Sequence, residues 1–215
     1  MIAQLHASDP VDVGKAADLL AAGMVVAIPT DTVYGLAVDP SQPGAVDRVF
    51  ALKKRPGDVA LPVLVTGWGQ VEMVAGTLEG AAQGFADQYW PGPLTLVVPR
   101  RGRFRADLGG ELAASWTVGL RWPDHPVVQA LCTAIGPLAV TSANRHADRP
   151  ATSAEDVIVA FTGDDRLSAV LDGGVCDGAP STVVECRGLA SRCLREGGIR
   201  WDGPTKASGG AGLTI

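Results

Sequence analysis

Four polar clusters in this 215-residue chain carry the residue types that bind anions and small polar ligands. The first is Thr30-Asp31-Thr32-Val33-Tyr34, which brings two hydroxyls, a carboxylate and a phenol directly after the apolar run 24–28. An apolar run that ends in small polar residues reads as a buried strand with a binding site at its tip. Thr-Asp-Thr also makes ordinary turns through side-chain-to-backbone hydrogen bonds, so this cluster takes its weight from the others. Those are Lys53-x-Arg55, Ser142-x-Asn144 and Ser181-Thr182, each at the expected end of a helix or strand. Cations neutralise a polyanion and neutral donors fix its orientation, so the set suits a polyphosphate, with a nucleotide the natural ligand.

Common nucleotide and hydrolase signatures are missing. There is no G-x-x-x-x-G-K-[ST] loop, no G-x-G-x-x-G after a strand and no G-x-S-x-G elbow. His125, between Asp124 and Pro126, reads as a helix start, and His6 and His146 have no metal-like spacing. Cys132, Cys176, Cys186 and Cys193 form no C-x-x-C pair and read as reduced, partly buried thiols. The basic runs Lys53-Lys54-Arg55 and 100–105, each viewed alone, read as solvated surface.

The elements that must position these clusters follow from periodicity. Residues 13–22 predict a helix closed by Gly23, and 24–28 a strand. Helices are expected over 45–52, 77–90, 125–135 and 153–161, the last with Ser153 as N-cap and Asp156 in the first turn. Strands are expected over 61–65 (broken by Pro62), 94–98, 116–121, 137–140, 169–172 and 182–186. Strands and helices interleave without a strict repeat, which predicts one α/β domain over residues 8–200 with a mixed, twisted sheet. Residues 201–215, rich in Gly, Ser, Pro and Thr, read as a flexible tail. A composition 47% hydrophobic and 19% charged, with net charge -5, describes a globular protein and argues against broad nonspecific nucleic-acid binding. No stretch reaches the ~20 apolar residues of a membrane span, and the N-terminus lacks a signal-peptide layout, so a cytoplasmic location is expected.

Seven blocks occur in the order and rough spacing of one family. They are Pro29-Thr30-Asp31-Thr32-Val33-Tyr34-Gly35-Leu36, Lys53-Lys54-Arg55-Pro56, Trp90-Pro91-Gly92-Pro93-Leu94-Thr95, Gly119-Leu120-Arg121-Trp122-Pro123, Ser142-Ala143-Asn144-Arg145, Ser181-Thr182-Val183 and Leu194-Arg195-x-Gly197. Across residues 10–200 the chain resembles the YrdC/TsaC family, the L-threonylcarbamoyladenylate synthases, in its short, single-domain form. The resemblance implies a single YrdC-like α/β domain, a twisted and mostly parallel mixed sheet with flanking helices around a large, concave, positively charged cavity. It also implies an enzyme, a nucleotidyltransferase, joining L-threonine, bicarbonate or CO2, and ATP into threonylcarbamoyl-AMP with release of pyrophosphate. Mg2+ would be carried mainly by the ATP phosphates rather than by a protein metal site. Threonylcarbamoyl-transferase proteins that modify tRNA would be partners, with a weak RNA contact and no membrane.

Matched position by position, Thr32, Tyr34, Arg121, Val140 and Thr182 resemble the threonine side, with Arg121 pairing the carboxylate. Lys53, Arg55, Thr117, Ser142, Asn144 and Arg195 resemble the ATP side, and Lys53 and Arg55 are the expected catalytic cations. The chain departs from the family pattern at Val59, Leu64, Thr141, Ala151, Pro180 and Glu196. Two other classes are a double-stranded RNA-binding module of the same fold and a carbamoyl-transfer domain of hydrogenase-maturation type. The net charge disfavours the first, and the chain length and cysteine count the second.

Overall fold

The computed structural model describes residues 2–54, 59–101, 103–110, 116–176 and 178–201. In chain order the elements are β1 (Ala3–His6), α1 (Pro10–Ala21), β2 (Val25–Ile28), β3 (Gly35–Val38), α2 (Ala45–Lys53), β4 (Val63–Leu64), α3 (Gly67–Ala75) and α4 (Gly80–Tyr89). They continue with β5 (Leu94–Pro99), β6 (Thr117–Arg121), α5 (Pro126–Ile135), β7 (Leu138–Ser142), α6 (Ala154–Phe161), β8 (Leu167–Asp172), β9 (Thr182–Arg187) and β10 (Ala190–Arg195). All the strands join one sheet in the order β1-β8-β2-β3-β7-β4-β6-β5-β9-β10.

The run Val25–Ile28 is buried at every position because β2 lies inside the sheet with helices on both faces. Val25 and Ala27 enter a larger core with Val49 and Leu52 of α2, Val71 of α3, Ala86 of α4 and Phe161 of α6. Val26 and Ile28 enter a smaller one with Leu20 of α1 and Leu131 of α5. Among the described residues no helix is long and apolar enough to cross a membrane.

Several expectations are corrected by this topology. The sheet is mixed but not mostly parallel. β1·β8, β2·β8, β4·β6 and β5·β9 pair parallel, whereas β2·β3, β3·β7, β4·β7, β5·β6 and β9·β10 pair antiparallel. The antiparallel pairs arise because β7 inserts between β3 and β4, and because Thr30–Tyr34 is the short connection that folds β3 back on β2. The sheet also draws in Ala3–His6, ahead of position 8, by pairing β1 with β8.

Helix α1 starts at Pro10 rather than at 13, with Asp9 capping the Val11 N–H. Helix α4 covers only Gly80–Tyr89 of the expected 77–90. Ser153 and Asp156 form the reciprocal capping box that their spacing implies, and His125 caps α5 by accepting from the Val127 N–H. Trp201 packs on Phe85 with ring centroids 5.2 Å apart, so it belongs to the core rather than to a tail. The remainder of the expected tail lies outside the described residues.

Glycine is demanded where the chain after β10 returns to the start of β9. A Cβ at Gly197 would run into the Pro180 carbonyl oxygen and stand 2.6 Å from the Ser181 carbonyl carbon. Gly197→Ala is expected to destabilise the protein by about 1–3 kcal/mol through overpacking against backbone. For a chain of this size that lowers Tm by roughly 2–12 °C, measurable by calorimetry.

Candidate functional site

The strand ends surround a cavity of ≈ 340 Å³ that collects residues from the β2–β3 connection, β4 to β7 and the β9–β10 hairpin. Thr32, Tyr34, Thr117, Arg121, Val140, Ser142 and Arg195 of the expected site all line it. So do Val59, Leu64, Thr141 and Pro180, four of the six departures from the family pattern.

Arg121 is the most deeply buried of the arginines lining the cavity, 6% exposed. Its Nη1 donates to Thr32 Oγ1 at 3.0 Å, its Nη2 to Asp31 Oδ1 at 2.5 Å and its Nε to the Gly92 carbonyl at 3.2 Å. The Pro91-Gly92-Pro93 turn is thus structural with a specific task, which is to offer a carbonyl to this arginine. Thr30 is structural too: its hydroxyl donates to the Val33 carbonyl and accepts from the Thr32 N–H, shaping the loop that presents Thr32. Burial pushes the Arg121 pKa down, and Asp31 opposes that shift. The other carboxylate oxygen of Asp31 is buried without a hydrogen-bond partner among the described residues.

Arg195 approaches from the opposite wall. Its Nε and Nη2 donate to the Ser181 carbonyl at 3.2 and 2.9 Å, and Nη2 also reaches Ser181 Oγ at 3.2 Å. That serine in turn shares a hydrogen bond with Thr95 Oγ1. A register shift on β10 between Cys193 and Arg195 breaks the two-residue alternation, which is why consecutive Leu194 and Arg195 both face the cavity. The Arg195 pKa is lowered by burial and then by the like charge of Arg121. Two like charges, one buried and one reaching solvent, thus line the same cavity, an arrangement that suits a negatively charged group between them.

Three expected contacts are placed elsewhere. Thr182 is fully buried on the far side of β9 while its neighbours Ser181 and Val183 line the cavity. Its hydroxyl donates to the Ile199 carbonyl and accepts from the Gly197 and Ile199 N–H groups, tying down the chain after Arg195. Lys53 and Asn144 do not line the cavity either. The Lys53 ammonium donates to the Ser142 and Asn144 carbonyls and to Asn144 Oδ1, and Ser142 Oγ donates to the same Oδ1 at 2.6 Å. Asn144 also gives both amide protons to the Arg145 and Asp148 carbonyls. Lys53 and Asn144 therefore form the backing that aims Ser142. Arg55 lies outside the described residues.

Tyr34 contributes its ring, not its hydroxyl. The phenol donates to the Gly174 carbonyl at 2.8 Å and accepts from the Gly173 N–H, and burial raises its pKa to about 12. The Val140 N–H is given to the Pro62 carbonyl, and its side chain fills the space left by Gly35, where a Cβ would stand 2.5 Å from Val140 Cγ1. Sequence reasoning placed Asp31 and Ser181 in polar clusters without an individual role, and gave Thr95 none. Asp31 could have been found as the carboxylate inside a block that also needs an arginine; Thr95 and Ser181 carry no signal until β5 and β9 are paired.

These features define an α/β protein whose strand ends surround a cavity lined by a buried arginine, Arg121, and an exposed one, Arg195. Residues 18–197 match the Sua5/YciO/YrdC family, described as telomere recombination, and the chain belongs to that family. It is 37% identical over 201 residues to a protein of Bacillus subtilis (strain 168) named threonylcarbamoyl-AMP synthase, covering 91% of this chain and 56% of that protein. A putative threonylcarbamoyl-AMP synthase of Mycobacterium tuberculosis is 36% identical over 86% of this chain and 83% of its own length. The fold superposes on Pyrococcus abyssi Sua5 complexed with L-threonine with a TM-score of 0.81 and 31% identity, over 93% of this chain and 58% of that one. The chain thus spans little more than half the length of its Bacillus and Pyrococcus relatives.

Asp31→Ala is expected to cost about 3–5 kcal/mol in urea unfolding, because it leaves the Arg121 charge buried without its counter-ion. Thr182→Val is expected to speed hydrogen exchange at the Gly197 and Ile199 amides while leaving ligand affinity within about twofold, since the hydroxyl serves the loop and not the cavity.

Proposed function

We propose that this chain makes threonylcarbamoyl-AMP and pyrophosphate from L-threonine, bicarbonate or CO2, and ATP, as a nucleotidyltransferase. The observation that carries the reading is the facing pair Arg121 and Arg195 in one cavity with the Thr32 and Ser142 hydroxyls. It occurs in a chain 36–37% identical to proteins bearing the synthase name. Those names favour the synthase over an RNA-binding module.

Arg121 keeps one N–H on each Nη beyond those given to Thr32 and Asp31, enough for a bidentate grip on the threonine carboxylate. Thr32, Tyr34 and Val140 wall this side. Arg195, Ser142 and Thr117 face the nucleotide, with Lys53 and Asn144 behind Ser142 and Arg55 as a further phosphate ligand. The threonine amine attacks the carbon of CO2 with loss of a proton, or of bicarbonate with loss of water, and the resulting carbamate oxygen attacks the α-phosphorus of ATP, with pyrophosphate leaving. No protein nucleophile is needed; the residues hold the two substrates in line and stabilise phosphate charge.

Among the described residues no cluster of three or more His, Cys, Asp or Glu suits a metal. In this reading Mg2+ is carried as the counter-ion of ATP, where it would neutralise phosphate charge, and no step is assigned to it. The product would pass, in the cytoplasm, to threonylcarbamoyl-transferase proteins acting on tRNA, with at most a weak RNA contact here.

The test is incubation with ATP, L-threonine, bicarbonate and Mg2+, following pyrophosphate and the adenylate by mass. Omitting threonine is expected to stop both. Arg195→Ala is expected to lower kcat/KM for ATP about 100-fold, the scale of one lost charge-stabilising donor, with threonine affinity retained. Wild-type-like turnover in that variant would sink the assignment. Lys53→Ala is expected to lose stability as well as activity, because it strips the donor from three acceptors.

A further inference from the structure

Among the described residues lining the cavity, Glu185 is the one carboxylate, set against Arg121, Arg187, Arg192 and Arg195. Glu185 holds two of these arginines. Its Oε1 accepts from Arg187 Nε at 3.0 Å and Nη2 at 2.7 Å, and its Oε2 accepts from Arg192 Nη2 at 3.1 Å. The strand register explains the grouping: Arg192 is paired directly opposite Glu185, and Arg187 lies two residues along on the same face of β9.

The charges form a series along this wall. Arg121 is matched by Asp31 in the depth. Among the described residues Arg195 donates to the carbonyl and hydroxyl of Ser181 and pairs with no carboxylate, so its charge faces the cavity. Nearer solvent, Arg187 and Arg192, with side chains 72% and 47% exposed, share the single Glu185. The outer wall thus carries an excess of positive charge that one acid only partly offsets.

We propose that Arg187 and Arg192 form a second polyanion subsite at the cavity mouth, which takes the outer phosphates of the nucleotide and the departing pyrophosphate, with Glu185 as the built-in anion they exchange for phosphate. This rests on the nucleotide reading above and adds residues to it. The energetics favour exchange. The Arg187 and Arg192 side chains are 72% and 47% exposed and that of Glu185 15%, so water screens each pair from the arginine side and the greater charge of an incoming polyanion decides the exchange. A polyphosphate offers more charge than one carboxylate, and paired oxygens for a fork whose Nε and Nη2 now share the single Glu185 Oε1. A hairpin needing only a cross-strand ion pair would be served by Glu185 and Arg192; the second guanidinium on the same acid gives the mouth its surplus charge.

Calorimetric titration with inorganic tripolyphosphate tests the subsite without turnover. Glu185→Ala is expected to tighten binding about tenfold, and the double variant Arg187→Ala/Arg192→Ala to weaken it about tenfold, with L-threonine affinity unchanged in both. Unchanged tripolyphosphate affinity in either variant would overturn the proposal. Should the alanine pair not fold, Arg187→Lys/Arg192→Lys keeps the charge but loses the fork, and is expected to weaken binding at least threefold; wild-type affinity there would overturn it as well. Threonine-dependent pyrophosphate release, assayed in parallel, separates the two readings. Its absence with these shifts intact sinks the synthase and leaves the subsite, whereas turnover with all affinities alike sinks the subsite alone.

Discussion

A guanidinium withdrawn from water costs several kcal/mol unless its charge and its N–H groups are met. Arg121 is met from three separate stretches of chain: Asp31 and Thr32 on the β2–β3 connection, and the Gly92 carbonyl on the turn before β5. Satisfying all three at once requires that β6, the loop at 30–34 and the turn at 91–93 arrive together. The sheet order brings them there, with β7 and β4 between β3 and β6, and β5 beside β6. The site is therefore a consequence of paired strand ends and not of any one loop.

The same logic holds on the opposite wall. Arg195 is aimed by a bulge on an edge strand, and its position is secured one step further on by Gly197 pressed against the start of β9 and by the Thr182 hydroxyl. Behind Ser142, Asn144 gathers the Lys53 ammonium, the serine hydroxyl and two carbonyls into one network. Such networks hold only when every member is partnered, so the polar residues most distant from the cavity are the ones that give it a defined shape. Between the two walls the described arginines outnumber the carboxylates, so the cavity carries net positive charge.

Much of this was legible from residue types. The buried run Val25–Ile28, the helices α2, α5 and α6 and the capping pair Ser153 and Asp156 follow from periodicity and local hydrogen bonding. Strand β3 was not, because Gly35-Leu36-Ala37-Val38 carries little intrinsic strand preference and is extended only by being paired on both sides. Helix α3 opens on Gly67 and Gly69, which weaken any local helical signal. Strand β10 is an edge strand with exposed polar residues and shows no alternation of its own.

The sequence by itself determined which chemical groups are available and roughly where elements end, because propensity, capping and hydrophobic period act over a few residues. The family resemblance of its motif blocks added Thr32, Arg121, Ser142 and Arg195 as expected site residues, and all four line the cavity. Tertiary structure decided which of the candidates line the cavity. Ser181 and Thr182 are adjacent hydroxyls with equal chemical claim, yet one lines the cavity and the other is spent on Ile199, because neighbouring side chains on a strand point to opposite faces. Lys53 reads as a phosphate ligand until the fold surrounds its ammonium with carbonyls from β7 and the loop after it. Asp31 gains its role only when β6 delivers Arg121 to it from 90 residues away.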